Sequence, residues 1–443
     1  MLRLIILIVT TTLLALQSTA QNKELVSAIK QYAYPITTPN PIGPDNDLVF
    51  LENLLKDKSI IALGESTHGT KEFFQMKHRL LKYMVQNMGY RLFAIEANQP
   101  ECEAINDYVL YGIGDPQQAL RGIYFWTWNT IEVLDMIKWM RTFNEGKPDT
   151  QKVHFLGFDM QTGMVAAKKI KAQLDKHQVD YRKFKIVLDS VASTKRYLYS
   201  LNKTTKADIL QQVQDLYSFA QSYKMEFVNT SGEIEYQSHL QHLSILVQAI
   251  ENAQSGPHYR DSCMAANIKW ITDFYGTEKI VIWAHNAHIN KSKVAANYGY
   301  YSMGYWLKKI YGDKYYSIGF DFNTGSFRAR RARYADNDLA SRYEVVTFTI
   351  NNTLKNSTDY YFKKTDIPIF LLDYTMVSQN NLLRDFLSNE IKTKSIGALY
   401  WEKWEKSYYR KQKLIDIYDA TLYFDKTTSA VGLNTIRADR NIE

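Results

Sequence analysis

Histidine and carboxylate side chains recur just past short apolar runs of this chain: Glu65 with His68, then Glu96, then Asp159, then His285 with His288. Asp321 follows a fifth run. In an open α/β sheet, ligands bind outside the carboxyl ends of the strands, so successive runs of this kind deliver imidazole and carboxylate to one edge. Such a set does proton transfer or hydrolysis. Three mechanisms can use it. In the first, His68 is a general base that takes a proton from water, with Glu65 or Glu96 fixing its tautomer and raising its basicity. In the second, Ser66 is a nucleophile. Gly64-x-Ser66 opens like the Gly-x-Ser-x-Gly elbow, but the fifth position is His68, and the sharp turn loses its small residue. In the third, His68, Glu96, His285 and His288 hold zinc, although His-x-x-His at a strand exit ligates a metal only if the loop curls. The residues favour the first mechanism, with a water held between His68 and Glu96 and no metal.

Other groups have plainer readings. His239 and His242 lie three apart on a helix beside an apolar stripe and read as a solvated flank. Asp159 and Asp321 can equally cap the next helix. Trp126 and Trp128, in Phe125-Trp126-Thr127-Trp128-Asn129, either wall a pocket for a bulky apolar substrate or plug the junction of sheet and helices. The two cysteines, Cys102 and Cys263, either pair or stay buried and free, and the sequence leaves both open.

The elements that must position these residues are legible as apolar runs at 59–63, 91–95, 153–158, 279–284 and 315–320, with further candidates at 367–372 and 396–400. Each is followed by helical periodicity. Strands this apolar are buried on both faces, so the fold class is α/β with a mostly parallel sheet flanked by helices. Apolar residues recur at helical spacing through Ile209, Val213, Leu216, Ala220 and Tyr223, and again from Tyr236 to Ile250. Residues 161–256 therefore read as a long helical insertion, with Gly232 and Gly256-Pro257 as breakers.

The first twenty residues combine a basic start at Arg3, an apolar run from Leu4 and the small residues Ser18 and Ala20. They read as an export signal, leaving 21–443 as one α/β body in the periplasm or outside the cell. No other run is long enough to span a membrane. The whole chain has 443 residues, 45% hydrophobic and 23% charged, which excludes disordered and fibrous classes. Its formal charge of +8 is spread without basic runs, which argues against nucleic acid as partner.

Taken in order, Gly64-Glu65-Ser66-Thr67-His68-Gly69 with Glu72-Phe73-Phe74, Ile95-Glu96-Ala97, Trp126-x-Trp128 and Phe155-Leu156-Gly157-Phe158-Asp159 resemble the erythromycin esterase family. Arg260-Asp261-x-x-Met264-x-x-Asn267, Trp283-Ala284-His285-Asn286-Ala287-His288 and Tyr418-Asp419-Ala420 extend the resemblance along nearly the whole mature chain. The resemblance implies a carboxylic ester hydrolase that opens a macrolide lactone without a covalent acyl-enzyme. By the same resemblance His68 is the base, Glu65 and Glu96 are its partners, and His285 and His288 are the remaining imidazoles. The family's basic residue after the His motif falls to Lys77 or Arg79. A non-catalytic envelope protein that binds a glycan or an apolar ligand in an aromatic cleft is the alternative from another class.

Overall fold

The computed structural model describes residues 21–194, 197–255, 257–292, 301–332 and 344–433. The expected export signal and Gly256 lie outside them. In chain order the strands are β1 (Ala33–Pro35), β2 (Ile60–Leu63), β3 (Leu92–Asn98), β4 (His154–Asp159), β5 (Ile280–Trp283) and β6 (Tyr315–Arg331). They continue with β7 (Val345–Ile350), β8 (Ile369–Asp373), β9 (Ile391–Lys394), β10 (Leu399–Tyr400), β11 (Tyr409–Gln412) and β12 (Ala420–Thr427). The helices that bear on the site are α1 (Lys71–Asn87), α2 (Gln99–Tyr111), α3 (Pro116–Arg121), α4 (Ile131–Asn144) and α5 (Met164–Lys176). Beyond them come α6 (Lys185–Ser193), α7 (Lys203–Phe219), α8 (Lys224–Ser255), α9 (Pro257–Phe274) and α10 (Asn286–Ile289).

Contacts divide the chain into two units, each assembled from separated segments. The first takes the described residues of Met1–Tyr83, His285–Tyr298 and Tyr315–Ala430, and the second those of Met84–Ala284, Gly299–Lys314 and Val431–Glu443. In the first unit the strand order is β1-β8-β12-β6-β2. β12 and β2 run parallel to β6, while β8 is antiparallel to β12 and β1 to β8. β6 is far longer than the expected 315–320. Its distal half gains new partners, β7 antiparallel and β10 parallel, so extension costs no unpaired backbone there. Asp321 consequently lies inside a strand and caps no helix. The face of β6 toward α1 is an aromatic core: the Phe73 ring centroid lies 5.7 Å from that of Phe320 and 5.3 Å from that of Phe424.

The second unit carries a wholly parallel sheet of order β5-β3-β4, matching the buried apolar runs read from sequence. Between Ile95 and Asn98 the register of β3 against β4 shifts, a bulge that re-aims Glu96. Gly157 makes the bulge possible, because a Cβ there would lie 2.5 Å from the Ala97 carbonyl and 2.8 Å from the Cys102 sulfur. The stretch read as a helical insertion contains α5 to α8, whose buried Ile170, Leu188, Val213, Leu216, Leu243 and Leu246 form a core of their own. α8 breaks at Gly232, whose φ of 86° a residue with a side chain adopts only under strain. Both units are thus helix-flanked and together mostly parallel. Among the described residues no helix is long and apolar enough to cross a membrane.

Candidate active site

In the first unit the chain leaves β2 through Gly64, whose N–H donates to the Ile318 carbonyl at 2.9 Å. A Cβ at Gly64 would lie 2.1 Å from Asn286 Oδ1, so only glycine fits this approach. Asn286 stitches the turn to β6. Its Nδ2 donates to the Phe320 carbonyl (2.9 Å), its Oδ1 accepts from the Phe320 N–H (3.1 Å), and its own N–H donates to the Glu65 carbonyl (2.9 Å). The turn therefore aims Glu65 and His68 from a fixed base.

Glu65 is fully buried, and both its oxygens are engaged. Oε1 lies 2.7 Å from His68 Nδ1 and Oε2 accepts from Lys77 Nζ at 2.6 Å, with Lys77 itself fully buried on α1. Burial alone pushes a carboxyl up; here the Lys77 ammonium and the His68 hydrogen bond outweigh it and hold Glu65 below the ordinary carboxylate range. An ionised Glu65 only accepts, so the proton sits on His68 Nδ1 and the Nε2 lone pair is exposed for use. Nε2 makes no hydrogen bond among the described residues, and the side chain is 14% exposed. This is a carboxylate-oriented imidazole with an open nitrogen.

The His285 ring lies 4.9 Å from that of His68, tilted by 43°. Its Nδ1 accepts from the Ala287 N–H (3.1 Å) as the N-cap of α10, which leaves the neutral ring's proton on Nε2, 3.0 Å from the Ile396 carbonyl. Ile396 in turn donates its N–H to the Ser66 carbonyl at 2.7 Å. His285 thus spends both nitrogens on backbone and pins the Ser66 turn beside His68. His288, one turn along α10, is only partly buried. Among the described residues Ser66 Oγ is buried and has no hydrogen-bond partner, so none of them is placed as a base to activate it as a nucleophile.

The second unit gathers a separate charged group at the carboxyl ends of β3 and β4. Arg260, on α9, donates from Nε to Asp159 Oδ1 (3.0 Å), and from Nη2 to Asp159 Oδ2 (2.6 Å) and Glu96 Oε1 (2.7 Å). Asp159 also accepts from Gln161 Nε2 (2.7 Å) and from the Met160 N–H (2.8 Å), and is fully buried. It anchors Arg260 and does not cap α5, whose N-cap is Gly163. Arg260 was the residue that site reasoning passed over. Its signal was available, since two buried carboxylates at adjacent strand ends require a countercharge.

Other expected positions resolve differently. Lys77, not Arg79, joins Glu65; Arg79 points the opposite way, into a carbonyl and carboxylate cage of Thr38, Pro44 and Asp47. The two are two positions apart on a helix and face different sides. Trp128 is 2% exposed, edge-on to Trp283 at 5.0 Å, and its Nε1 donates to the Glu96 carbonyl at 3.3 Å. It fills the core instead of walling a cleft, and Trp126 is nearly as buried. His239 and His242 are buried, not solvated: His239 bridges Tyr223 (2.7 Å) and Gln173 (2.8 Å), and His242 bonds Glu103 at 2.5 Å. Cys102 and Cys263 are free and buried.

A family model described as Erythromycin esterase matches residues 85–427. The chain belongs to the erythromycin esterase family. Among relatives, the hydrolase-like protein YbfO of Bacillus subtilis (strain 168) is 23% identical over 91% of this chain and 91% of its own length. Erythromycin esterase type II of Escherichia coli is 24% identical over 75% of this chain and 84% of its own. Among solved structures, one described as a succinoglycan biosynthesis protein superposes with a TM-score of 0.78 at 22% identity, covering 93% of this chain and 99% of that one. A mutant of the erythromycin esterase EreC in its open conformation superposes with a TM-score of 0.67 at 14% identity, covering 89% and 97%. These likenesses establish the fold. The family match begins beyond Glu65 and His68, so the case for that dyad rests on its geometry.

Proposed function

We propose that the chain is a carboxylic ester hydrolase that opens the lactone of an erythromycin-like macrolide with a water activated by His68, and that it thereby confers macrolide resistance. The observation that carries this reading is the His68 ring, bonded through Nδ1 to the buried Glu65 carboxylate while Nε2 stays open. Family membership and the erythromycin esterase relative supply the substrate class.

In this mechanism Nε2 takes a proton as the water oxygen bonds to the ester carbonyl carbon, and Glu65 stabilises the imidazolium that forms. Collapse of the tetrahedral intermediate breaks the bond to the ring oxygen, and the departing alkoxide takes a proton from His288 or from the His68 imidazolium. His285 acts as a positioning residue, since its nitrogens already serve Ala287 and Ile396. Glu96 shares its carboxylate with Arg260, so the base work falls to His68. The reading requires no metal. The export-signal pattern of residues 1–20 supports a reading in which the activity lies in the periplasm or outside the cell, which sequencing the mature N-terminus tests.

Incubation with erythromycin should yield a product heavier by one water. His68→Ala should slow this by about 10²–10⁴-fold, the usual loss when a general base is removed. Turnover near the wild-type rate in that variant overturns the mechanism. If erythromycin is untouched but another ester is cleaved with the same dependence on His68, the macrolide assignment falls and the hydrolytic site stands.

A further inference from the structure

The second unit holds a pocket that the ester mechanism does not use. It encloses about 300 Å³ against β4, the edge strand of its sheet, and is walled by α2, α5, α8 and α9. Four amide side chains line it, and the protein locks each of them at one end. An edge strand leaves backbone groups in need of partners, and the Phe155 N–H donates to Asn106 Oδ1 at 3.0 Å. Gln173 Oε1 accepts from His239 Nδ1 at 2.8 Å. Gln241 Nε2 donates to Gln99 Oε1 at 2.8 Å and to Asn267 Oδ1 at 3.2 Å.

These bonds decide which end of each amide is left over. An amide whose oxygen is engaged offers its NH₂, and one whose nitrogen is engaged offers its carbonyl. Asn106, Gln173 and Gln99 therefore keep a donor nitrogen, and Gln241 keeps an acceptor oxygen. Among the described residues none of these four atoms has a hydrogen-bond partner, and none is sealed from solvent. Gln241 is only 5% exposed, so its open oxygen lies on the pocket that the residue lines. Trp270 and Phe274, one turn apart on α9, stack at 4.6 Å, are both half-buried and supply an aromatic wall. The lining carboxylates are already neutralised: Glu103 bonds His242 and Lys169, each at 2.5 Å, and Glu235 pairs with Lys176 at 2.7 Å. No lysine or arginine lines the pocket among the described residues. An anion would thus meet two carboxylates and no cation, and a cation would find both carboxylates taken. The free groups suit a neutral ligand rich in hydroxyls, each of which accepts and donates, on a compact ring with C–H surface for the aromatic wall.

We propose that this pocket binds one neutral pyranose ring, a hexose that is free or ends a glycoside. Its hydroxyls accept from the amide nitrogens of Gln99, Asn106 and Gln173 and donate to the carbonyl oxygen of Gln241, and its C–H face lies toward Trp270. The volume holds one such ring and not a macrolide, so the site is independent of the ester reading.

Saturation-transfer NMR titration of the full chain with glucose, galactose and mannose, each as the free hexose and as its methyl glycoside, tests the proposal. Cyclohexylmethanol is the apolar control of similar size. Saturable binding of at least one sugar, absent for the control, is the expected result. Binding of the free hexose alone marks a free sugar as ligand, and equal binding of its glycoside marks a chain end. Gln99→Leu and Trp270→Ala should each weaken binding about tenfold or more while ester hydrolysis stays at the wild-type rate. Thermal denaturation checks that each variant folds, and Trp270→Ala carries the test should Gln99→Leu fail to do so. No saturation by any of the sugars, equal binding of cyclohexylmethanol, or unchanged affinity in both variants would each overturn the proposal.

Discussion

Replacing Lys77 by Met preserves a straight apolar stem and deletes the ammonium that neutralises Glu65. Both partners are fully buried and 2.6 Å apart, so the variant leaves a carboxylate with no exposure and without the ammonium that neutralises it. Breaking a buried pair on one side costs about 3–5 kcal/mol. The pH dependence gives the cleaner signature. In the wild type Glu65 is held below its ordinary value near 4.5, so its contribution is complete above that pH and is lost as pH falls through the lowered folded value. Without Lys77 burial dominates, the folded value moves above 4.5, and the penalty grows as pH rises. The difference between wild type and variant should be small only below the lowered wild-type value, be present already at pH 4.5, and grow to about 3–5 kcal/mol by about pH 8. Urea denaturation at a series of pH values measures it. Adding Glu65→Gln to Lys77→Met should restore most of the stability at neutral pH, since the orphaned charge is gone. Neither variant should retain wild-type hydrolysis, because a neutral residue 65 no longer stabilises a protonated His68. A pH-independent loss with additive single and double variants would refute the reasoning.

Three further outcomes can be checked on the same protein. Arg260→Met removes the countercharge that Glu96 and Asp159 share and should destabilise the chain by about 3–5 kcal/mol at neutral pH, less in acid, by urea denaturation. Ser66→Ala should hydrolyse ester within a few-fold of wild type; an acyl adduct trapped on Ser66 in mass spectrometry would show a serine mechanism instead. Trp128→Ala should cost about 3–5 kcal/mol as a core truncation. A variant of unchanged Tm and raised KM would return Trp128 to a substrate cleft.

The strands that build the α/β frame were legible because parallel strands buried on both faces read as unbroken apolar runs. β12 escaped because Thr421 interrupts the apolar stretch from Ala420 to Phe424 and the charged Asp425 and Lys426 follow it. β7, β9 and β11 alternate polar and apolar residues or carry several lysines, and their pairing is decided by long-range partners. At the site, Glu65 and His68 could be named from a six-residue segment. The choice between Lys77 and Arg79 could not, since it depends on which face of α1 meets the turn after β2. Trp128 failed for a related reason: sequence shows that an indole is present but not whether its edge meets solvent or Trp283.

The misreading of His239 and His242 has the same root as the missed role of Arg260. The histidines beside an apolar stripe read as solvated and Arg260 had no assigned role, and in each case the chain supplies partners from distant elements: Gln173 on α5 and Glu103 on α2 for the histidines, Asp159 on β4 for the arginine. The cost of burying such groups is met by pairing, and pairing is invisible to local pattern. The two units apply this in parallel. In one, a helix lends Lys77 to a carboxylate just past β2; in the other, a helix lends Arg260 to carboxylates at the ends of β3 and β4. The outcomes differ in what is left over. Arg260 saturates Asp159 and occupies Glu96, so that group is closed. Lys77 takes one oxygen of Glu65, and the other holds His68 by Nδ1 alone, leaving a basic nitrogen at the surface of an otherwise neutralised site. An arginine at position 77 would present a planar fork able to take both oxygens of Glu65 and compete with His68 for Oε1. The single ammonium of lysine keeps Glu65 ionised and leaves that oxygen to the histidine.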